Sequence, residues 1–191
     1  MRRAAAGPLA PVPGDRPTVP AHRSAPAPLA RRLASVAYEG LLLGAVLLAS
    51  GFLLAPWVSA PSHVTAAAAP LPLPAAPARL SLFAASFAVG ALYFCWSWTG
   101  GRRTLPMKTW RLRLTRRDGN PVGRRAAVTR YLAAWIGPAL ALLAYVALKP
   151  TGAARYALWL VAVNYAWAWI DPDRQFLHDR IAGTRIVRDQ G

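Results

Sequence analysis

The chain has 191 residues, of which 55% are hydrophobic and 16% charged, with a mean hydropathy of +0.27 and a formal net charge of +16. Soluble globular domains rarely combine these values, so an ordinary soluble domain is a poor fit. The single cysteine, Cys95, excludes an intrachain disulfide and any site built from several cysteines. With seven acids against 23 Lys and Arg, the basic excess points to nucleic acid, anionic lipid or membrane topology.

The first 30 residues are predicted to form a disordered cytoplasmic tail rich in Pro, Ala and Arg. Seven prolines occur there, and almost no large apolar side chain accompanies them. Such a composition buries too little apolar surface to offset the entropy of ordering the chain. No apolar run follows Arg2 and Arg3, so the tail is a poor match to a secretory signal peptide.

Two long apolar runs follow, and we expect both to be membrane-spanning helices. Residues 33–55 contain a single charge in 23 residues and would extend about 34 Å as an α-helix, which is enough for a bilayer core. Residues 80–98 contain no charge in 19 residues.

Two further runs are shorter or interrupted. Residues 131–148 contain Gly137-Pro138, which predicts a kinked span because proline lacks a backbone donor. Residues 156–170 would extend only about 23 Å as an α-helix. They form either a short fourth span or an interfacial or re-entrant helix.

The distribution of Lys and Arg predicts the orientation of these spans. Twenty of the 23 basic residues lie in residues 1–32, in residues 99–130 or after residue 170. The positive-inside rule places these three regions and both termini in the cytoplasm, which requires four spans. Aromatic pairs at the inner ends of the spans, such as Trp96 and Trp98, are typical of interfacial anchors.

Glu39 is the most informative single residue, because it lies inside the first predicted span. An ionised acid at mid-membrane costs on the order of 3 kcal/mol, so something must neutralise or pair it. Arg32 lies about two helical turns earlier, and we expect the two side chains to share a face and form a buried pair. Two interpretations stay open. Glu39 either carries protons or a cation, or it serves helix packing as an ion pair or a protonated acid.

Residues 100–130 form the most basic loop. Leu112 and Leu114 alternate with polar residues, and a turn signal follows at residues 118–121, which predicts a short cytoplasmic hairpin or an amphipathic segment. The loop contains no recognition-helix or RNA-binding motif, so we expect it to contact anionic lipid head groups rather than nucleic acid. The arginines expected to face lipid are Arg111, Arg113, Arg116 and Arg117.

The C-terminal segment FLHDRIAGTRIV, residues 176–187, places His178 beside Asp179, with Asp171 and Asp173 shortly before. Adjacent side chains point apart, and a metal site needs three or four convergent ligands, so we expect no metal. We expect the segment to fold against the basic loop, with its acids paired to loop arginines and residues 185–187 forming a strand. The chain contains no GxSxG, HExxH, CxxC or Walker pattern, so neither an enzyme nor a cofactor is expected.

Three features in this order resemble the RDD family of small, mainly prokaryotic membrane proteins. They are Arg32-Leu33-Ala34 followed by an acid at position 39, the loop TLPMKTWRLRLTRRDGNPVG before Arg130, and the terminal LHDRIAGTRIV. The resemblance covers about residues 31–188.

The family is named for an arginine and two aspartates, which the resemblance assigns to positions of this chain. Arg32 matches the arginine, Glu39 takes the place of the first aspartate, and Asp179 is the best match for the other, with Asp171 as the second choice. The loop departs as well, with Pro106 where similar sequences tend to carry Gly.

The resemblance implies an all-α integral protein of the prokaryotic plasma (inner) membrane, with about four transmembrane helices and an undefined biochemical activity. Transport is suggested, and ion or proton exchange through Glu39 is its sharper form. A transporter of four short helices encloses little volume, so a homo-oligomer is also expected. The alternative is a non-catalytic scaffold or assembly factor that holds a partner through the basic loop.

Overall fold

The computed structural model describes residues 26–58 and 76–189. Most of the predicted disordered tail, together with residues 59–75 between the first two predicted spans, lies outside these ranges. The α-helices are α1 (Leu29–Val58), α2 (Ala76–Trp98), α3 (Leu105–Thr109), α4 (Arg124–Ala134), α5 (Ile136–Leu148), α6 (Val163–Ala166) and α7 (Leu177–Ala182). The strands are β1 (Leu112–Arg116) and β2 (Thr184–Arg188), and 3₁₀ helices cover Lys149–Thr151, Ala154–Ala162 and Trp167–Trp169.

Two stretches of the described chain are long and apolar enough to cross a membrane, Arg79–Trp98 and Arg124–Thr151. Only 6% and 22% of their apolar windows are buried. The core helix of a soluble protein would be mostly buried, whereas these helices present large side chains such as Leu92 and Leu143 outward. Exposed apolar surface of this extent belongs against lipid, so the helical membrane class predicted from the sequence agrees with the structure.

The third predicted span begins earlier than residue 131 and is interrupted. Helix α4 starts at Arg124 and ends at Ala134, and α5 starts at Ile136 after a turn at Trp135. Pro138 has no N–H to donate to the carbonyl of Ala134, four residues earlier. The interruption therefore lies where the predicted proline kink requires it.

The fourth predicted span differs from a regular α-helix. A 3₁₀ helix covers Ala154–Ala162 and is followed by α6 and a further 3₁₀ turn. This segment packs against α5 so closely that a β-carbon on Gly137 would lie 2.6 Å from the carbonyl oxygen of Val161. Backbone packing against α5 thus accompanies the tighter winding, which the apolar pattern alone does not reveal.

The two strands form an antiparallel sheet in which Leu114 lies opposite Ile186. The predicted strand at residues 185–187 is present and packs against the basic loop as expected. The strand pairing differs from the predicted hairpin, because β1 pairs with β2 and not with a strand across the following turn. That turn is closed by a local hydrogen bond, which the Arg116 N–H donates to the Asn120 carbonyl at 2.9 Å. Pairing with β2 buries Leu112, Leu114 and Ile186 together in the core.

The end of the predicted tail is ordered. Pro26 forms a bridge with Val187, and the Ala27 N–H donates to the Ile186 carbonyl at 3.1 Å. Helix α1 then starts at Leu29 rather than at residue 33. Edge pairing with β2 supplies the hydrogen bonds that composition could not predict, so the last five residues of the expected disordered tail belong to the fold.

Candidate functional site

Polar side chains collect in the core where α1, α4 and α7 approach one another. Arg32, Arg130, His178, Asp179 and Thr184 are each at most 4% exposed. We call these residues, together with Glu39 and Thr104, the buried polar cluster. Buried charges are costly unless they are paired or hydrogen-bonded, so their partners determine what the cluster can do.

Arg130 and Asp179 form the central pair of the cluster. Nη1 of Arg130 lies 3.0 Å from Oδ1 of Asp179, and neither side chain is more than 4% exposed. The Arg130 guanidinium also stacks over the indole of Trp98, 4.4 Å from the ring centroid. Trp98 is only 6% exposed and covers this cation, so it is not the interfacial anchor expected from its position.

The sequence Gly183-Thr184 holds Asp179 in place. Gly183 ends α7 in the left-handed conformation, with φ of 65°, which most other residues adopt only with strain. The chain then turns directly into β2, and the Thr184 hydroxyl donates to Oδ1 of Asp179 at 3.1 Å. The motif seen in the sequence is therefore a support for a buried carboxylate.

His178 is a neutral neighbour of this pair. Burial lowers its pKa to about 4; Asp179 opposes this shift, while Arg130 and Arg32 add to it. Nη2 of Arg130 lies 3.2 Å from Nε2 of His178. Because arginine can only donate, Nε2 accepts and the ring proton resides on Nδ1. The contact of Nε2 with Oδ2 of Asp179 at 4.0 Å is thus not an ion pair near neutral pH.

Arg32 does not form the predicted pair with Glu39. Its guanidinium donates to the backbone carbonyl of Arg174 and lies 5.0 Å from the ring centroid of Phe176. The acids within its electrostatic range are Asp179 and Asp171. The two-turn spacing on α1 allowed the pairing, but the C-terminal segment offers Arg32 a carbonyl, an aromatic face and two carboxylates instead.

Glu39 faces a different part of the cluster. Its carboxylate lies beside the hydroxyl of Thr104, at the start of α3, and within electrostatic range of Arg130. Its Oε1 is buried and has no hydrogen-bond partner among the described residues. The two acids at positions 39 and 179 thus approach the same arginine, which is already committed to Asp179.

Asp171 lies at the edge of the cluster and shapes the turn before α7. Its Oδ2 accepts from the N–H groups of Asp173 at 3.1 Å and Gln175 at 2.9 Å. The same carboxylate lies 3.5 Å from Nε of Arg180. Asp171 is therefore chiefly a support for the turn, and Asp179 is the aspartate within the cluster.

The arginines expected to face lipid lie outside the buried polar cluster, on the surface of β1 and its turn. All four, Arg111, Arg113, Arg116 and Arg117, are exposed. Arg113 lies 3.3 Å from Asp189, and Arg116 lies 3.5 Å from Asp118. A hydrogen bond from the Asn120 backbone N–H lowers the pKa of Asp118, and the positive charge of Arg116 lowers it further. The Asp118 carboxylate therefore stays ionised. Asp179 contacts Arg130, the last arginine of the loop region. It forms no ion pair with any of these four exposed arginines.

Sequence reasoning missed Arg130, which counted only as one more basic residue. The buried residues of α4 are Ala127, Arg130, Tyr131 and Ala133, and apolar side chains occur on every face of this helix, so its sequence pattern does not single out the face of Arg130. An arginine on a buried helix face requires an anionic partner. That partner, Asp179, becomes visible only in the fold.

Within residues 26–58 and 76–189, no group of three or more His, Cys, Asp or Glu could hold a metal ion. The chemistry of the cluster thus comes from carboxylates, guanidinium groups and one imidazole. Carboxylates and imidazoles can exchange protons or bind cations, whereas the guanidinium groups stay protonated and supply positive charge.

Comparison with known proteins gives one result. Neither the curated proteins nor the solved structures include a significant match to the chain. The model of the RDD family matches residues 26–183, which contain the whole buried polar cluster except Thr184. With most of its length matched, the chain belongs to the RDD family.

Proposed function

We propose that this protein is a transport component that exchanges protons or small cations across the membrane, with Glu39 as the carrier residue. The observation on which the proposal rests is the position of Glu39 in α1, with one buried carboxylate oxygen that has no partner among the described residues. Oδ2 of Asp179 also lacks a hydrogen-bond partner, but that carboxylate is held by Arg130 and Thr184. Glu39, in contrast, forms no ion pair with any described residue. A carrier needs an oxygen that is free to take up a proton or a cation.

Arg130 supplies the balancing charge in this proposal. It contacts Asp179 at 3.0 Å and lies within electrostatic range of Glu39. When Glu39 loses its proton, its new negative charge attracts Arg130 and competes with Asp179 for it. Release of a proton at Glu39 thus alters the central pair of the cluster, which joins α4 to α7.

The proposed arrangement in the membrane has four spans, with both termini in the cytoplasm of a prokaryote. The 3₁₀ winding supports a fourth crossing, because it rises about 2.0 Å per residue and residues 154–169 would then extend about 30 Å, close to the thickness of a hydrocarbon core. This places the buried polar cluster near the inner leaflet. A homo-oligomer would enclose the path that four short helices cannot enclose alone.

Flux measurements with purified protein in liposomes test the carrier proposal. We expect a pH jump to drive proton-coupled movement of Na⁺, K⁺ or Li⁺ in the wild type and in Glu39→Asp, which keeps the carboxylate. Glu39→Gln, which keeps the shape and removes the charge, should abolish this flux. The matched control is Asp173→Asn, because that acid is 66% exposed and lies outside the cluster.

The folded state of each variant is checked by its elution profile and tryptophan fluorescence. Equal flux in the wild type and Glu39→Gln would exclude Glu39 as the carrier. Absence of flux in the wild type with all three cations would count against transport and favour the second function.

The second function is a membrane scaffold or assembly factor acting through the basic loop. The exposure of Arg111, Arg113, Arg116 and Arg117 on one surface favours it. The combined variant Arg111→Gln/Arg117→Gln should then lose a crosslinked partner, whereas Glu39→Gln should keep it. Retention of all partners in the arginine variant would contradict this function.

A further inference from the structure

A cavity of about 360 Å³ lies at the amino-terminal end of α1, apart from the proposed carrier residue. Its walls include Pro26, Pro28 and Pro172, and its charged groups are Arg32, Asp173 and Arg174. We propose that this cavity binds a phosphate group between Arg32 and Arg174. The volume is at the lower end of the range for small-ligand sites, which suits one phosphate with its immediate substituent.

Arg32 is the buried half of the proposed site. It is 1% exposed, and one of its nitrogens donates to the Arg174 carbonyl. Its Nε and Nη1 have no hydrogen-bond partner among the described residues. Asp179 lies within the electrostatic range of Arg32, but its contacts with Arg130 and Thr184 are made through Oδ1 and it forms no hydrogen bond with these two nitrogens. A guanidinium with free N–H groups beside a cavity is suited to an oxyanion.

Arg174 is the exposed half. Its backbone has φ of 51°, a left-handed conformation that is uncommon for a residue with a side chain. The turn is held by Asp171, whose carbonyl accepts from the Arg174 N–H at 2.9 Å and whose carboxylate accepts from the Gln175 N–H at 2.9 Å. This turn presents the Arg174 carbonyl to Arg32, while Arg174 itself lines the cavity.

The remaining charge in the wall is Asp173, which would repel an anion. Its Oδ2 lies 2.8 Å from Nη1 of Arg180, whose positive charge offsets that of the carboxylate. The prolines of the wall offer no N–H groups. Recognition therefore depends on the two guanidinium groups, whose planar forks match the tetrahedral oxygens of a phosphate.

Two sources could supply this phosphate. One is the head group of an anionic phospholipid, which requires the proposed topology with α1 starting at the inner leaflet. The other is free inorganic phosphate, which requires no topology.

The test measures binding to the full chain purified in neutral detergent. Inorganic phosphate is titrated at constant ionic strength against chloride while thermal unfolding is followed by tryptophan fluorescence. In a second arm, native mass spectrometry counts the phosphatidylglycerol and phosphatidylcholine molecules retained by the protein. The test variant is Arg174→Gln, and the matched control is Arg79→Gln, which neutralises an exposed arginine that belongs neither to the cavity wall nor to the basic loop.

A ligand that binds only the folded state raises the unfolding temperature with its concentration. We expect phosphate, phosphatidylglycerol or both to bind the wild type and Arg79→Gln alike, with binding about tenfold weaker in Arg174→Gln, as for loss of one charge-assisted hydrogen bond. Stabilisation by phosphate alone identifies a free anion, and selective retention of phosphatidylglycerol alone identifies a lipid.

Equal binding in Arg174→Gln and Arg79→Gln, or no binding from either source, would overturn the proposal. Because no flux enters this experiment, its outcome is independent of whether Glu39 carries protons or cations.

Discussion

Arg130 and Asp179 form a salt bridge of 3.0 Å that is almost completely enclosed, with side-chain exposures of 4% and 0%. The pair joins α4 to α7 and so connects the membrane-spanning part of the chain with its C-terminal segment. Removing one member of such a pair leaves the other charge buried without compensation. The pair is thus as important for the fold as for the proposed exchange at Glu39.

Asp179→Asn should destabilise the protein strongly. The amide keeps the shape of the carboxylate but leaves Arg130 without its anion, and such losses cost about 3–5 kcal/mol. Unfolding in detergent, followed by tryptophan fluorescence, measures the change. Asp173→Asn is the control, because that acid is exposed and its pairing with Arg180 is worth little. Similar unfolding midpoints for the two variants would show that the buried pair contributes no more than a surface pair.

His178 should make stability depend on pH below neutrality. Its folded pKa, about 4, is lower than the ordinary value of 6.5, so between these values the unfolded chain binds a proton that the folded chain does not. The contribution of neutral His178 to the free energy of unfolding is therefore complete above pH 6.5. As the pH falls towards 4, this contribution of at most about 3 kcal/mol is lost.

Comparison of wild type with His178→Gln isolates this contribution from the carboxylates that titrate in both proteins. We expect the unfolding free energy of the wild type to fall more steeply between pH 7 and pH 4.5 than that of the variant. Parallel pH profiles would mean that His178 is protonated equally in both states.

The sequence predicted the helical membrane class and the strand after Gly183, and it singled out Arg32, Glu39 and Asp179, which the fold brings into one polar cluster. These follow from apolar runs, alternation and the terminal motif. The partners within the group did not follow, since Arg32 contacts residues 142 and 144 positions away. Periodicity reports which face of a helix is buried, and it does not report which distant segment covers that face.

The fourth segment shows a second limit of sequence reasoning. Its apolar residues predicted a helix, but not the 3₁₀ winding that sets its length. That winding accompanies close contact with α5, where Gly137 leaves room for the carbonyls of Leu160 and Val161. Local patterns cannot reveal such a contact between separate segments.

Asn164 should stabilise the protein by supplying the hydrogen bond that Pro138 cannot donate. Its Nδ2 donates at 2.8 Å to the carbonyl of Ala134, the group to which residue 138 of an unbroken helix would donate. Asn164→Leu leaves this carbonyl unpaired and should cost about 1–3 kcal/mol of unfolding free energy. In a Pro138→Ala background the backbone can supply the missing donor, so the same substitution should cost less. A double-mutant cycle measures the difference, and an equal cost in both backgrounds would contradict this role.

Gly137→Ala should disrupt the contact between α5 and the fourth segment. The new β-carbon would lie 2.6 Å from the carbonyl oxygen of Val161 and 3.0 Å from that of Leu160, and both are backbone atoms that cannot rotate away. We expect a loss of about 1–3 kcal/mol, as for overpacking elsewhere. Gly44→Ala is the control, because among the described residues no atom outside the adjoining turns of α1 lies within 4 Å of its β-carbon position, and alanine favours a helix over glycine. Thermal unfolding in detergent measures both variants. We expect the unfolding midpoint of Gly44→Ala to equal or exceed that of the wild type and the midpoint of Gly137→Ala to be lower. A wild-type midpoint for Gly137→Ala would show that the fourth segment does not approach α5 this closely.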